Sequence, residues 1–540
     1  MGFLKTALTT SLLLAGTAVS VPSIQKKGEK LFTSDGKQFY IKGIAYQQEA
    51  GGGPGGSDTK SKKYVDPLSD EKTCKRDVPL LQKLGVNTIR TYAIDPEADH
   101  TACMKLLDDA GIYVIADLGE PALSINRDSP TWNVELFDRY KGVMKNLGAF
   151  DNTIGFFAGN EVTNNATNTG ASAYVKAAVR DSKKWIADNQ KNNGGRWMGV
   201  GYAANDDAEI RINMAQYFNC GEEDTAIDYW GYNIYSWCGK SSFEQSGYDT
   251  QVKFFSNYSV PVFFAEYGCN SDGAEGRLWD ETTALYSDKM TDVFSGGIVY
   301  MFHEEENDYG VVKVSGDKAE PMKNYKTLQS KLADVKPSST SMDAYNPTNS
   351  AAACPALSKN WKAAQALPPT PDKDLCDCMY KSSSCVPSDD LAEKEFGDIF
   401  GYICQNDEKA CSVIKHDTEK GVYGPYSMCN PKEQLGAVLS AYYQNQNSAS
   451  DACDFNGAAK TQSGSKDSSC DSKLEAASQA AEVAATATAG STATSTGGSS
   501  STGNAAPGGA RMAPFMTLGE MAIGLYMVVA MGAGASMILL

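Results

Sequence analysis

The chain is 540 residues long, with 42% apolar and 21% charged residues, room for roughly two or three domains with a sizeable core. Acidic residues number 66 against 49 basic, a formal charge of −17, which excludes a nucleic-acid binder relying on a broad positive field. With only His100, His303 and His416, and no HExxH, the composition argues against a multi-histidine metal centre.

Lys5 precedes an apolar run, 7–18, with Leu12-Leu13-Leu14 at its centre. Ala18-Val19-Ser20 then supplies the small residues a signal peptidase reads, so 1–20 is expected to be a secretory signal peptide rather than a buried helix. Secretion makes disulfides the expected state of the 14 cysteines. The sequons Asn165-Ala166-Thr167 and Asn257-Tyr258-Ser259 offer N-glycan sites.

From 39 to 304 a strand-then-helix rhythm repeats. Short β-branched and aromatic runs predict buried parallel strands at 39–47, 88–94, 112–119, 153–161, 197–204, 227–235, 260–268 and 296–304. Amphipathic segments at 72–84, 99–110, 134–147, 171–189, 243–258 and 281–294 predict helices between them. The pattern predicts an α/β fold, a (β/α)₈ TIM barrel over 21–335. A doubly wound open sheet is the competitor. Gly51-Gly52-Gly53 follows the first strand but runs into Pro54, with no helix opening there.

Residues 336–370 read as a linker rich in Ser, Thr, Pro and Ala, carrying Cys354. Eight cysteines then crowd between Cys376 and Cys470, the mark of a small disulfide-rich module over 371–475 whose own core is too small. The Ala/Ser/Thr/Gly-rich 476–504 reads as a disordered, O-glycosylated stalk. Small residues, a polar spacer and the charge-free 521–540 read as a GPI-attachment propeptide over 505–540, with Asn504-Ala505-Ala506 as the attachment triplet and Gly508-Gly509-Ala510 as its competitor. A transmembrane helix is the alternative. No basic residue follows the apolar run to anchor it.

In a barrel, reactive side chains sit at the C-terminal strand ends. Read in order, these ends hold Gln47; Arg90 and Tyr92; Asp117; Asn160 and Glu161; Asp206 and Arg211; Tyr232, Asn233 and Tyr235; Glu266; and Tyr300 and His303. Glu161 and Glu266 each end an otherwise apolar strand, where ionisation carries a desolvation cost. Two carboxyls about 5–5.5 Å apart are what a retaining glycosidase needs, one as acid/base and one as nucleophile. Asn160 beside Glu161 suits a donor to a sugar 2-hydroxyl. The structural alternative has each Glu capping a helix or pairing with Arg90 or Arg211. Ser-His-Asp catalysis finds no support, because Gly239-Lys240-Ser241-Ser242 is no nucleophile elbow and His303 has no evident Ser or Cys partner.

Phe157-Ala158-Gly159-Asn160-Glu161-Val162 and Phe264-Ala265-Glu266-Tyr267-Gly268-Cys269 resemble the two signature segments of glycoside hydrolase family 72, the fungal GPI-anchored β-1,3-glucanosyltransferases. The segment 300–310 resembles that family's last strand, and the eight-cysteine module resembles a family 43 carbohydrate-binding module. The resemblance implies Glu161 as acid/base and Glu266 as nucleophile. It implies Tyr92, Asn160 and Tyr300 as donor-side contacts, Asp206 and Arg211 as acceptor-side contacts, and Gln47, Asp117, Tyr232 and Tyr235 along the cleft. It implies the bridges Cys74–Cys103, Cys220–Cys354, Cys238–Cys269, Cys376–Cys429, Cys378–Cys470, Cys385–Cys453 and Cys404–Cys411, a pairing that spacing alone leaves open.

The expected protein is thus a monomeric, cofactor-free transferase, held at the outer face of the plasma membrane by its GPI lipid at Asn504. Its partners are 1,3-β-glucan donor and acceptor chains, not nucleic acid. A secreted endo-1,3-β-glucanase and a non-catalytic glucan-binding wall protein are the competing expectations.

Overall fold

The computed structural model describes residues 20–48, 64–189, 191, 194–271, 273–464 and 467–486. The expected signal peptide up to Val19, Gly51-Gly52-Gly53, the stalk beyond Thr486, Asn504 and the C-terminal apolar run lie outside them.

A three-stranded antiparallel sheet opens the described chain: β1 (Ile24–Lys27), β2 (Lys30–Thr33) and β3 (Gln38–Phe39). Eight strands follow at the expected positions. They are β4 (Ile41–Ala45), β5 (Thr88–Thr91), β6 (Tyr113–Asp117), β7 (Thr153–Asn160), β8 (Gly199–Ala204), β9 (Trp230–Asn233), β10 (Val262–Tyr267) and β11 (Phe294–Val299). All pair parallel in chain order, and β11 returns to β4 to close the barrel. At that seam Gly296 adopts φ +97°, and a side chain there would run into the Ile41 carbonyl.

Alternation along the strands separates two apolar layers. Ile41, Ile115, Phe157, Phe263 and Ile298 fill the bore, where Ile24, Leu31 and Phe39 of the first sheet join them at the N-terminal strand ends. Their neighbours Ile44, Val114, Phe156, Phe264 and Val299 pack in the layer beneath the helices. Those helices are α1 (Glu71–Leu84), α2 (Thr101–Asp109), α3 (Val134–Leu147), α4 (Ser172–Asp188), α5 (Arg211–Asn219), α6 (Tyr248–Phe255) and α7 (Asp280–Leu285). Asp70 and Asn133 cap α1 and α3 through their side chains. α5 lies between strands where no helix was expected; its buried Met214, Tyr217 and Phe218 keep helical spacing, but the exposed Ile212 and the buried Asn219 blur the contrast between its faces. The helix expected over 281–294 stops at Leu285. There the Ser287 hydroxyl takes the Ala284 carbonyl, and turns carry the chain into β11. The hairpin β12 (Val312–Ser315) and β13 (Lys318–Pro321) leads to α8 (Lys323–Asp334).

Residues 336–370, read as a linker, run as a hydrogen-bonded strap along the barrel. Tyr40 and Lys27 donate to the carbonyls of Ser338 and Met342, and Asn349 donates to those of Ser256 and Tyr258. Trp361 is fully buried. The cysteine-rich module comprises α9 (Lys373–Ser382), β14 (Cys385–Pro387), α10 (Phe396–Asn406), α11 (Glu408–Cys411), β15 (His416–Asp417), β16 (Val422–Tyr423), α12 (Pro431–Asn445), β17 (Ala459–Thr461) and α13 (Asp471–Thr486). α13 takes up the first residues of the stretch expected as a disordered stalk, whose alanines favour helix. All 14 cysteines are paired: Cys74–Cys103, Cys220–Cys354, Cys238–Cys269, Cys376–Cys429, Cys378–Cys470, Cys385–Cys453 and Cys404–Cys411.

Candidate active site

The site grows from one buried cation. Arg90 rises from β5 into the bore, fully buried, with its guanidinium between the rings of Tyr92 and Phe157 at 4.4 and 4.5 Å. A charge so placed requires partners. Nε and Nη2 donate to the two Asp117 oxygens at 3.0 and 2.9 Å. Nη2 also reaches Asn160 Oδ1 at 2.9 Å, while Nη1 reaches the Ala265 carbonyl at 3.2 Å and Glu266 Oε1 at 3.3 Å. Burial opposes the Arg90 charge, but Asp117, Tyr92 and Glu266 outweigh it and hold its pKa above the usual range.

Glu266 owes its place to an irregularity. Phe263 and Ala265 face the bore, so strict alternation would turn Glu266 away from it. Pairing with β9 slips between Phe264, opposite Tyr232, and Glu266, opposite Asn233. This bulge re-aims the carboxyl into the bore. There Tyr92 and Tyr235 each donate a phenol hydrogen to it at 2.9 Å, one per oxygen. Burial raises the Glu266 pKa. Arg90 pulls it back, the Glu161 charge adds to the rise, and the two phenols lower it. Burial also holds both phenols well above their ordinary pKa, so they remain donors.

Glu161 follows β7, whose pairing with β8 also slips, between Phe157 and Asn160. Its backbone adopts φ +49°, a left-handed conformation that costs a non-glycine residue about 1–3 kcal/mol. Asn233 donates to Glu161 Oε1 at 2.9 Å and to Asn160 Oδ1 at 3.0 Å. With Arg90 also on Asn160 Oδ1, that oxygen is saturated, and the Asn160 amide nitrogen becomes the outward donor.

Tyr235, Tyr300 and Tyr309 form a mutual edge-to-face group, with centroids 5.3–6.5 Å apart, and Tyr92 meets Tyr300 at 6.3 Å. Arg277 fixes its far side by donating to the Tyr300 and Tyr309 carbonyls. A cavity of about 530 Å³ flanks the network, bordered by Tyr92, Asp117, Asn160 and the loop holding Glu120, Asn126 and Arg127. Flat aromatic faces and fixed polar groups beside two carboxyls suit a pyranose chain and proton transfer at a glycosidic oxygen.

Several expected cleft residues are engaged by protein partners. Gln47 is spent on backbone, accepting from the Tyr92 and Ala93 amides and donating to the Val65 carbonyl at 2.6 Å. Asp117 borders the cavity, but Arg90 holds both its oxygens. Tyr232 faces the helix layer, completely buried against Phe255 and Phe264, because the neighbouring Gly231 and Asn233 take the bore-facing positions. Its hydroxyl donates to Asp206 at 2.5 Å, and Arg211 pairs with the same carboxylate oxygen at the rim. His303 is a satisfied core residue, held by Asp77 at 3.0 Å. Arg90, expected only as a structural partner of the glutamates, does pair with Glu266 and belongs to the site; Asn233, read only as a strand-end residue, and Tyr309, which was given no role, belong to it too. An arginine inside an apolar strand is the signal that marks the first of them.

A family model described as Glucanosyltransferase matches residues 14–336, and one described as X8 domain matches 383–460. A 1,3-beta-glucanosyltransferase of Arthroderma benhamiae is 50% identical over 528 residues, spanning 96% of this chain and 94% of its own. The Schizosaccharomyces pombe 1,3-beta-glucanosyltransferase gas1 is 44% identical, over 86% of this chain and 83% of its own. Among solved structures, a Glu-to-Gln mutant of Saccharomyces cerevisiae Gas2p in complex with laminaritetraose and laminaripentaose superposes with a TM-score of 0.74 at 38% identity, over 85% of this chain and 99% of that one.

Proposed function

The chain belongs to the glucanosyltransferase family of glycoside hydrolases, and on that premise we propose how its site works. The protein is a 1,3-β-glucanosyltransferase that breaks a glucan donor and joins the freed segment to a second glucan chain. One observation carries the mechanism: the carboxyls at the ends of β7 and β10 belong to a single hydrogen-bonded network built on Arg90.

Glu266 is the nucleophile. Three donors aim its carboxylate, and it attacks the anomeric carbon to form a glycosyl ester. Glu161 gives its proton to the departing oxygen as the C–O bond breaks, and the reducing-end fragment leaves. The same group, now a carboxylate, takes the proton from an acceptor's 3-hydroxyl. That oxygen attacks the anomeric carbon, a new β-1,3 bond forms, and Glu266 is released. Water vastly outnumbers any acceptor, so transfer requires a held acceptor chain. Effective molarities of ~10⁵–10⁸ M from good orientation suffice. Tyr300 and Tyr309 offer stacking faces, and the Asp206–Arg211 pair offers hydroxyl contacts at the rim. The Asn160 amide donates to the sugar 2-hydroxyl. We place the mature chain, 21–504, at the cell surface on a GPI lipid at Asn504, as a monomer with N-glycans at Asn165 and Asn257.

Incubating Glu161→Gln with a laminari-oligosaccharide fluoride tests the assignment. Loss of fluoride needs no acid, and the base for the second step is absent, so a glycosyl adduct should accumulate. Peptide mass spectrometry should find it on the peptide holding Glu266. An adduct on another residue, or rapid turnover with none, would refute the roles.

A further inference from the structure

We propose that Arg127 is a positioning residue that holds the Glu161 peptide in its left-handed conformation and thereby keeps the acid/base carboxyl in place. The inference rests on the acid/base role given to Glu161 above.

β7 ends at Asn160, so the barrel ladder supplies no donor to the Glu161 carbonyl. Below it, the Glu161 amide donates to the Ala203 carbonyl at 2.8 Å, and the Tyr202 hydroxyl takes the Thr163 amide at 3.1 Å. These bonds fix the peptides on either side, while Glu161 itself sits at φ +49°. Its carbonyl is taken from above by Arg127 Nη2 at 2.8 Å. A guanidinium makes this a charge-assisted bond, stronger than an amide would give.

The loop after β6 is shaped to deliver that donor. Ile125 is buried and anchors it. Asn126 Oδ1 accepts from the amides of Asp128 and Ser129, closing a turn with Arg127 at its apex. Freed from Arg127, the Glu161 peptide can relax toward the extended backbone that ordinary residues prefer. That rotation carries the carboxyl away from Asn233, its only side-chain partner among the described residues. Arg127 therefore acts through Glu161 rather than by gripping the substrate.

The dependence on leaving group separates these roles. A glucan leaving group needs a proton from Glu161, whereas a 2,4-dinitrophenolate needs almost none, and kcat/KM reports the first step only. For Arg127→Ala, kcat/KM on a laminari-oligosaccharide should fall by roughly tenfold or more, since misplacing a catalytic group by about 1 Å costs up to ~100-fold. On the dinitrophenyl glycoside of the same chain length it should fall by less than about threefold. Arg127→Lys, which keeps a donor, should lie between, with the same selectivity. It answers the question if the alanine variant is poorly secreted. An equal fall on both substrates would make Arg127 a binding or structural residue and overturn the proposal. No fall on either would overturn it too. Glu161→Gln serves as the control. If it lacks this selectivity, the acid/base assignment fails and the proposal with it; if only the Arg127 variants lack it, the assignment stands and the proposal alone falls.

Discussion

The barrel and the cysteine-rich module solve the same stability problem in opposite ways. The barrel packs aromatic and β-branched residues of eight strands in two apolar layers, and three bridges join its residues and the strap. The module's main core has Phe396, Ile399, Ile403, Leu435, Val438 and Leu439 as its large buried side chains, with Phe400, Tyr442 and Phe455 only partly buried against them, and four disulfides close the module. The large core can bear strain and buried charge, and the barrel spends that capacity at its C-terminal strand ends. Arg90, Glu266 and the left-handed Glu161 all sit there. None of the residues in the catalytic network comes from the module. It packs instead against the barrel where α3 and α4 begin. The Val134 amide bonds the Met428 carbonyl, Tyr174 meets Tyr423 edge to face at 6.0 Å, and Thr418 closes over Gly170. The reactive groups thus lie in the region with core to spare, and the covalently stapled region packs against it.

The sharpest way to break this division is to remove function without touching the fold. Glu161→Gln and Glu266→Gln should each lower transfer by a thousandfold or more, about 4 kcal/mol of barrier. The melting temperature of Glu266→Gln at neutral pH should not fall. Burial raises this carboxyl's pKa, so between its unfolded and folded values the folded state binds the extra proton, and stability declines as pH rises through that window. Replacing the acid with an amide removes that penalty. Near wild-type turnover in either variant would reject the site.

Arg90→Met reverses the test, since it should injure fold and function together. Asp117 and Glu266 lose the cation between them, and breaking a buried pair costs about 3–5 kcal/mol. Denaturant titration should show this loss, and an unchanged midpoint would contradict the central place given to Arg90.

Disulfides compare the two regions directly. The Cys220–Cys354 bridge spans 134 residues and ties the strap to α5's end, whereas Cys404–Cys411 spans 7 within the module. Chain entropy predicts that Cys220→Ala/Cys354→Ala costs about 2–3 kcal/mol more than Cys404→Ala/Cys411→Ala. Secretion yield and melting temperature should rank the double mutants in that order. The reverse ranking would place the burden on local strain rather than loop closure.

The smallest effect is a titration. Tyr235 donates to Glu266 and thereby lowers its pKa. Tyr235→Phe should shift the acid limb of kcat/KM to higher pH, by about one unit or less. A shift to lower pH would mean that the phenol favours the protonated acid.

The same contrast explains what the sequence disclosed. Eight barrel strands were legible because buried parallel strands read as uninterrupted apolar runs, and Glu161 and Glu266 stood out as charges at their ends. Their presentation was not legible. The slip before Glu266 and the left-handed Glu161 backbone depend on pairing between strands, which no local pattern encodes. Tyr232 and Gln47 illustrate a related limit. Both lie near strand ends, but alternation turns Tyr232 into the helix layer and the Tyr92 and Ala93 amides absorb Gln47. The strap at 336–370 has a linker's composition, and its order comes from hydrogen bonds to residues far away in the chain, such as Tyr40 and Lys27.

On the proposed mechanism, a covalent intermediate on Glu266 is resolved by a sugar hydroxyl rather than by water. Product analysis on a reduced laminari-oligosaccharide at millimolar concentration tests it most directly. Products longer than the substrate, joined through new β-1,3 linkages, are expected. Products that are only shorter would contradict the account and identify a hydrolytic endo-β-1,3-glucanase.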